Sequence, residues 1–301
     1  MTSATKRGLL AAFAAYVLWG ALPVYFHAVA EISPMEVLSH RVIWSLLVTG
    51  LGVALLGNWS VLRLLVSSRR RTLQLVATVA MLSINWLTYI WSVGNDHVIE
   101  AGLGYYICPL MSVLLAAVIL RERISWGQLA GIVCVAAGVL WQVVAVGQVP
   151  WIALILAVTF AFYGLGRKVV ALPAIPGLFA ETLMLLPVAL AYLAWAEGTG
   201  QGHFINGDWH WRGLLALAGP FTAIPLLLFA AGANRLDLRT LGLMQYLNPT
   251  MQVLVAIFLL DEQVLPGQGV TFLLIWLGLI LYSLLPWLAR RRQIPERGAQ
   301  D

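Results

Sequence analysis

Charged residues are scarce in this chain. Asp, Glu, Lys and Arg together make up 10% of its 301 residues, whereas 61% are hydrophobic. This composition excludes an ordinary soluble domain, because water is a poor solvent for so much apolar surface. Since helices satisfy their backbone hydrogen bonds internally, even within lipid, the sequence predicts an all-α integral membrane protein.

Cysteine is also rare, and no pattern of catalytic residues is present. The two cysteines, Cys108 and Cys134, lie in apolar stretches, which argues against a disulfide framework or a paired-cysteine metal site. His203, Asp208 and His210 are of metal-ligand type, but their spacing fits no recognised site and favours a solvated loop. The chain has no phosphate-binding loop and no paired nucleophile and base, so we expect neither an enzyme nor a bound cofactor.

Long apolar runs dominate the remainder. A helix needs about 20 apolar residues to cross the hydrocarbon core. Ten runs meet this requirement, at approximately 8–28, 35–57, 73–93, 101–120, 127–146, 150–167, 177–196, 213–233, 241–260 and 267–288. The first run is about as long as a span and lacks a clear cleavage site, so no cleavable signal peptide is expected.

The positions of the charges predict the orientation. The basic residues of one set of loops are Lys6, Arg7, Arg63, Arg69 to Arg71, Arg121, Arg123, Arg167, Lys168, Arg235, Arg239, Arg290 to Arg292 and Arg297. The opposite loops carry Glu31, Asp96, Glu100, Glu197, Asp208, Asp261 and Glu262. Positive loops stay in the cytoplasm, so we expect a bacterial inner-membrane protein with both termini cytoplasmic. Because the basic residues lie in these loops and set the orientation, the net charge of +5 does not indicate binding to nucleic acid, and we expect no nucleic-acid partner.

The second half of the chain repeats the first at an offset of about 140 residues. Matching positions are Gly102-Leu103, Tyr106, Pro109, Val113-Leu114, Ala116, Leu120, Glu122, Gly127-Gln128 and Gly138, which recur as Gly242-Leu243, Tyr246, Pro249, Val253-Leu254, Ala256, Leu260, Glu262, Gly267-Gln268 and Gly278. We expect two five-helix repeats, 1–147 and 148–290, followed by a basic cytoplasmic tail, 291–301. Five spans is an odd number, so the repeats are predicted to have inverted topology.

Specific strings then resemble a known family. They are His40-Arg41-Val42-Ile43-Trp44-Ser45, Asn85-Trp86 with Tyr89-Ile90-Trp91, Glu100-Ala101-Gly102-Leu103-Gly104-Tyr105-Tyr106, Tyr163-Gly164-Leu165 with Arg167-Lys168, Pro225-Leu226-Leu227-Leu228-Phe229, and Gln245-Tyr246. Over about residues 5–290 the chain resembles RarD-type permeases of the EamA group, in the drug/metabolite transporter superfamily. The resemblance implies an inner-membrane carrier of ten helices and supplies no substrate. Cys108 stands where that family tends to have Asn.

Two matching polar stripes are candidate substrate contacts. The first is Tyr105, Cys108 and Ser112, and its counterpart in the second repeat is Gln245, Asn248 and Gln252. Polar groups avoid lipid, so both stripes are expected to face a shared central space. Pro109 and Pro249 are expected to kink their helices and free a backbone carbonyl, either toward a wet cavity or toward a neighbouring hydroxyl.

Aromatic and amide side chains on other spans complete the candidate substrate contacts. Asn85 and Tyr89 follow helical spacing, with Trp86 alongside, and either contact substrate or bond neighbouring helices. Trp19 and Tyr163 each precede a glycine in matching spans, where they either stack a planar substrate or pack. Tyr246, beside Gln245, belongs to the same set of candidates.

Arg41 and Glu181 are ionisable residues inside predicted spans, and such residues are functional hypotheses by default. Arg41 is predicted either to anchor an anionic substrate or to extend its head to the outer interface. Glu181 is predicted to be either a proton-coupling site or a capped helix entry. His40 is a second coupling candidate, although it points about 100° away from Arg41 on a helix.

Together these features favour a secondary carrier that exports a small organic solute by alternating access between the repeats. The solute class includes amino acids, aromatic metabolites and drug-like compounds. A lipid or amphiphile scramblase is the alternative, and it requires a polar groove that faces the bilayer. The expected partners are a small-molecule substrate and lipid, while the oligomeric state stays open.

Overall fold

The structure, a computed structural model, describes residues 3–65, 68–119, 121, 123–170 and 173–292. All regular structure in these ranges is helical. The helices are α1 Ser3–Gly20, α2 Leu22–Ala28, α3 Pro34–Leu56, α4 Ser60–Leu65, α5 Arg69–Gly94, α6 Val98–Ile119, α7 Trp126–Ala145, α8 Trp151–Val170, α9 Ala174–Gly198, α10 Trp209–Ala233, α11 Leu238–Met244, α12 Leu247–Leu259 and α13 Gln268–Arg292. Leu120 and Glu122 of the repeat pattern, and residues 293–301 of the predicted tail with Arg297, lie outside the described residues.

The all-helical membrane fold is confirmed. Within the described residues, nine stretches are long and apolar enough to cross a membrane, and each coincides with one of the first nine predicted spans. The tenth prediction, 267–288, falls on α13, whose apolar described part, Gln268–Ser283, is shorter than a full span. The chain is therefore a multi-pass membrane protein.

Two of the confirmed spans contain a break in the helix. The first breaks at Ala21, between α1 and α2, and the ninth breaks at Gln245 and Tyr246, between α11 and α12. Proline explains both breaks, because Pro23, the second residue of α2, has no N–H to donate to the Trp19 carbonyl and Pro249 has none for the Gln245 carbonyl. Pro109, by contrast, lies within a continuous α6.

Helices α7 and α13 pack through small residues in an antiparallel arrangement. A Cβ atom added to Gly131 would lie 2.7 Å from the Gly278 carbonyl oxygen, and one added to Gly138 would lie 3.3 Å from the Thr271 carbonyl oxygen. An offset of 140 residues exchanges these two contacts. The contact between α7 and α13 therefore has the two-fold character that the sequence repeat predicts.

The loops that follow α6 and α12 also correspond. Arg121 and Asp261 both have a positive φ, 56° and 54°, although neither is glycine. A left-handed residue just after a helix terminates it and satisfies its last carbonyls. We call the end of the bundle near Arg121, Arg123 and Arg167 the basic end, and the end near Glu100 and Asp261 the acidic end.

Candidate functional site

Arg41 lies inside the bundle and does not extend to the interface. Only 6% of the residue is exposed, and its guanidinium carbon lies 4.0 Å from the centroid of the Trp86 ring. Nε donates to Thr222 Oγ1 at 2.8 Å, which joins α3 to α10. Nη1 is buried without a hydrogen-bond partner, and no carboxylate of the described residues forms an ion pair with Arg41. A buried cation without an anion is costly, which makes Arg41 a candidate contact for an anionic group.

Aromatic rings continue from the Arg41 guanidinium toward the centre. Phe26 lies 5.6 Å from the Arg41 guanidinium carbon, and its ring centroid is 5.7 Å from that of Tyr89. The Tyr89 ring is in turn 5.6 Å from the Tyr105 ring. The Tyr89 hydroxyl is buried without a partner, so an unused donor accompanies the unused Arg41 Nη1.

Asn85 serves mainly to join helices. Its Nδ2 donates to the Leu156 carbonyl at 3.1 Å and to Thr159 Oγ1 at 3.0 Å, which ties α5 to α8. Its Oδ1 accepts a bond from the Tyr105 hydroxyl at 3.3 Å. The structure therefore places Asn85 behind Tyr105, where it positions that ring.

The rings then lead to a second charged cluster. Tyr105 lies 6.0 Å from Phe160, and Phe160 lies 5.8 Å from Tyr163, measured between ring centroids. The Tyr163 hydroxyl donates to Glu181 Oε2 at 3.2 Å. Phe26, Tyr89, Tyr105, Phe160 and Tyr163 thus form an aromatic column between Arg41 and Glu181.

A cavity of about 430 Å³ lies at the basic end. It includes Pro109 and Ser112 of α6, Gly164 of α8 and Gln245, so both predicted stripes reach its wall. Its remaining lining includes Arg123, Gln128 and Lys168. Arg123 and Lys168 place positive charge in the wall, which favours an anionic solute.

Other predicted contacts are used elsewhere in the structure. Cys108 is buried, with Sγ 3.9 Å from the Leu156 carbonyl, and Asn248 Oδ1 accepts a bond from Gln252 Nε2 at 2.8 Å. Trp19 packs in an aromatic cluster, 5.8 Å from Tyr16. Tyr246 lies half-buried at the break before α12.

Half-buried carboxylates cap helices at the acidic end. Glu262 accepts the N–H groups of Val98 and Ile99 at 2.8 and 3.0 Å, which caps α6 with the loop after α12. Burial raises the pKa of Glu262 to about 7, although these two donors oppose the shift. Glu100 accepts the N–H of Ile152 at the start of α8 at 2.9 Å. These bonds attach the ends of different helices to one another.

Glu36 and His203 form a contact that sequence reasoning missed. Glu36 is 1% exposed and accepts the His203 N–H at 2.6 Å, while its second oxygen lies 2.9 Å from His203 Nδ1. Nearby, the His40 ring lies 4.7 Å from the Phe204 ring. The sequence does show Glu36 as an acidic residue in the first turn of an apolar span, but it does not indicate that His203 is its partner.

Helix α6 contacts α12 at the acidic end, whereas α11, which precedes α12, is not packed at the matching position of the other end. A Cβ atom on Gly102 would lie 2.9 Å from Val253 Cγ2, whereas Gly242, its repeat counterpart, has nothing within 4 Å of such an atom. Likewise, a Cβ atom on Gly20 would collide with Met251, whereas nothing approaches its counterpart Gly164. The bundle is therefore packed toward the acidic end and open at the basic-end cavity.

Comparison with known proteins gives consistent matches. The model of the EamA-like transporter family matches residues 6–144 and 149–284. An uncharacterized transporter of Vibrio cholerae is 40% identical, with 92% of each chain covered. The protein RarD of Escherichia coli K12 is 38% identical, with 96% of this chain and 97% of that one covered.

More distant matches extend the same relationship. A chloramphenicol-sensitive protein RarD of Pseudomonas aeruginosa is 31% identical, with 91% of this chain and 93% of that one covered. One crystal structure superposes with a TM-score of 0.59 at 21% identity over 99% of both chains, which supports the fold. The chain therefore belongs to the EamA-like transporter family, as a RarD-type permease.

Proposed function

We propose that this permease is a secondary carrier of a small organic solute that bears a carboxylate on a planar or aromatic body. Arg41 carries this proposal, because its Nη1 is buried without a partner. A carboxylate placed there would accept bonds from Nη1 and from the free Tyr89 hydroxyl. The aromatic column beside it offers faces for a planar group.

Alternating access is the proposed mechanism, and the glycine contacts support it. Gly102 packs on Val253 in this state, so the exchanged contact of the other state is Gly242 on Val113. Gly164 would then close on Met111, as Gly20 now closes on Met251. In that second state the basic-end cavity is shut and the acidic end is open, so solute bound at Arg41 is exposed to one side at a time.

The scramblase alternative has less support. It requires polar groups along a face open to lipid, yet Asn85, Tyr89 and Arg41 are 1%, 3% and 6% exposed. The candidate polar groups thus converge on the interior of the bundle. This arrangement suits a solute carried through the centre and not a lipid headgroup moving along the surface.

A thermal-stability screen tests the proposed substrate class. Amino acids, aromatic acids, nucleosides and chloramphenicol-like compounds are added separately to the purified protein. A ligand at about 100 times its dissociation constant adds about 2.7 kcal/mol to the unfolding free energy. We expect stabilisation by carboxylate-bearing aromatic compounds and none by their amide analogues. If no compound stabilises the protein and it moves fluorescent lipid across liposomes, the scramblase replaces the carrier.

An exporter takes up its solute from the cytoplasm, so we expect the open basic end to be the cytoplasmic one. Arg123 and Gln263 are counterparts in the two repeats and supply a matched pair of probes. In a chain without Cys108 and Cys134, we expect Gln263→Cys to react with a membrane-impermeant thiol reagent applied to intact cells. Arg123→Cys is expected to react only after the cells are opened. Labelling of both positions from the same side overturns the inverted topology, whereas exchanged accessibility reverses the orientation and places the basic end outside.

A further inference from the structure

Arg167 and Tyr163 surround the buried carboxylate of Glu181, and the proposed function gives no role to the ion pair of this cluster. The Glu181 side chain has no solvent exposure, and its oxygens are divided between two donors. Oε1 accepts a bond from Arg167 Nη1 at 3.1 Å, and Oε2 accepts the bond from the Tyr163 hydroxyl. Removing one partner of a buried ion pair leaves an uncompensated charge, so Glu181 depends on Arg167 staying in place.

The ion pair joins two helices that border the basic-end cavity. Arg167 belongs to α8 and reaches across the first turn of α9, where its Nη2 also donates to the Pro173 carbonyl at 3.4 Å. Gly177 leaves room for this side chain, since a Cβ atom there would collide with the guanidinium. Any movement of the C-terminal end of α8 therefore moves the Arg167 guanidinium relative to Glu181.

Few other titratable groups act on this carboxylate. Among the described residues, Arg167 and Tyr163, both on α8, are the charged and titratable groups that act on Glu181. The cluster that packs α9 against α3, α4 and α5 is apolar and consists of Val53, Val61, Leu75, Val79, Phe179 and Ala180. The charge of Glu181 is thus balanced by α8 alone.

Closing the basic end requires the end of α8 to move. Gly164 faces the cavity with nothing near it, whereas its counterpart Gly20 is packed against Met251. The chain breaks at Ala21 directly after Gly20, but α8 runs unbroken past Gly164 to Val170. A matching bend after Gly164 would swing the following turn, which carries Arg167, toward α6 and away from Glu181.

We propose that Glu181 is a proton-binding site that couples proton uptake to closure of the basic-end cavity. This inference rests on the proposed alternating access and names the proton as the coupling ion. With the cavity open, the carboxylate is ionised and paired with Arg167. As Arg167 withdraws, a proton from water bonds to Oε1 and neutralises the carboxylate, while the guanidinium keeps its own protons. A neutral acid is cheaper to bury than an unpaired carboxylate, so protonation stabilises the closed state.

A cysteine in the cavity wall reports the closure. Ser112→Cys is introduced in a chain without Cys108 and Cys134, and the labelling rate by a polar thiol reagent is measured in nanodiscs. Gln201→Cys, at an exposed position, corrects for the pH dependence of thiol reactivity. We expect the corrected rate of the parent to fall as the solution is made mildly acidic, because protonation of Glu181 releases Arg167.

Substitutions then test whether Glu181 and Arg167 cause this pH dependence of the labelling rate. At one mildly basic pH, Glu181→Gln is expected to lower the labelling rate about tenfold, since it imitates the protonated acid. Arg167→Gln is expected to do the same, and the double variant to match either single one. All three lose the pH response. Tyr163→Phe keeps the ion pair, and its pH response is expected to move to higher pH because the ionised carboxylate loses one hydrogen-bond donor. Glu31→Gln, at an exposed carboxylate, is expected to behave as the parent.

The outcomes separate this inference from the proposed solute. If Glu181→Gln labels as fast as the parent and keeps the pH response, Glu181 is not the proton site. Additive effects of Glu181→Gln and Arg167→Gln would equally overturn it, because a shared ion pair gives non-additive effects. If all the labelling rates are as expected, they support the proton site even when the stability screen finds no carboxylate ligand. That negative screen would count only against the proposed solute.

Discussion

Replacing Arg41 by Met is expected to abolish ligand binding and to stabilise the empty protein. The buried guanidinium has no anionic partner among the described residues, and Nη1 has no hydrogen-bond partner. Removing an uncompensated buried charge raises the unfolding free energy, by about 1 kcal/mol or more, when an apolar side chain of similar volume replaces it. The same change removes the anchor for a carboxylate and lowers affinity by about 100-fold or more.

Thermal unfolding with and without the ligand from the screen measures both effects. The matched control is Arg235→Met, which removes an exposed arginine that donates to the Ala231 carbonyl at 2.7 Å. This control is expected to keep the ligand-induced stabilisation and to leave the empty protein nearly unchanged. A destabilised Arg41→Met that still binds ligand would show that Arg41 joins α3 to α10 and does not anchor the solute.

Replacing Gly242 by Leu is expected to stop transport while leaving the protein folded. Nothing lies within 4 Å of a Cβ atom at this position in the basic-end-open state, so a side chain fits there. In the exchanged state the same side chain would collide with Val113, as a Cβ atom on Gly102 now crowds Val253. We therefore expect transport to fall at least about tenfold because the protein is held open at the basic end.

Transport into liposomes and thermal unfolding together test this result. The control is Gly269→Leu, on α13, where nothing lies within 4 Å of an added Cβ atom and the position is exposed. Both variants are expected to shift the unfolding free energy by less than about 1 kcal/mol, since leucine is the better helix former. Only Gly242→Leu is expected to lose transport. Full activity of that variant would contradict the exchange of contacts between the repeats.

The hydrogen-bond partners of the site residues were the part of the site that the sequence predicted least well. Arg41 stands out in the sequence as a charge inside an apolar run, but Thr222, its hydrogen-bond partner, is 181 residues away. Asn85 left two readings open, and its bonds to Leu156 and Thr159 favour helix packing. Such contacts depend on how each helix is rotated and where it crosses its neighbour, and hydropathy carries neither quantity.

The helical membrane class, the approximate spans and the family follow from the amino-acid sequence alone, because the bilayer demands long apolar segments and the strings typical of the family are local. The sequence also marked Arg41 and Glu181 as ionisable residues within predicted spans, and the structure places both in the bundle interior. The pairing of Glu181 with Arg167 and the position of the cavity at the basic end became visible in the folded structure. Two copies of one pattern are equivalent along the chain, and packing alone chose which copy is closed.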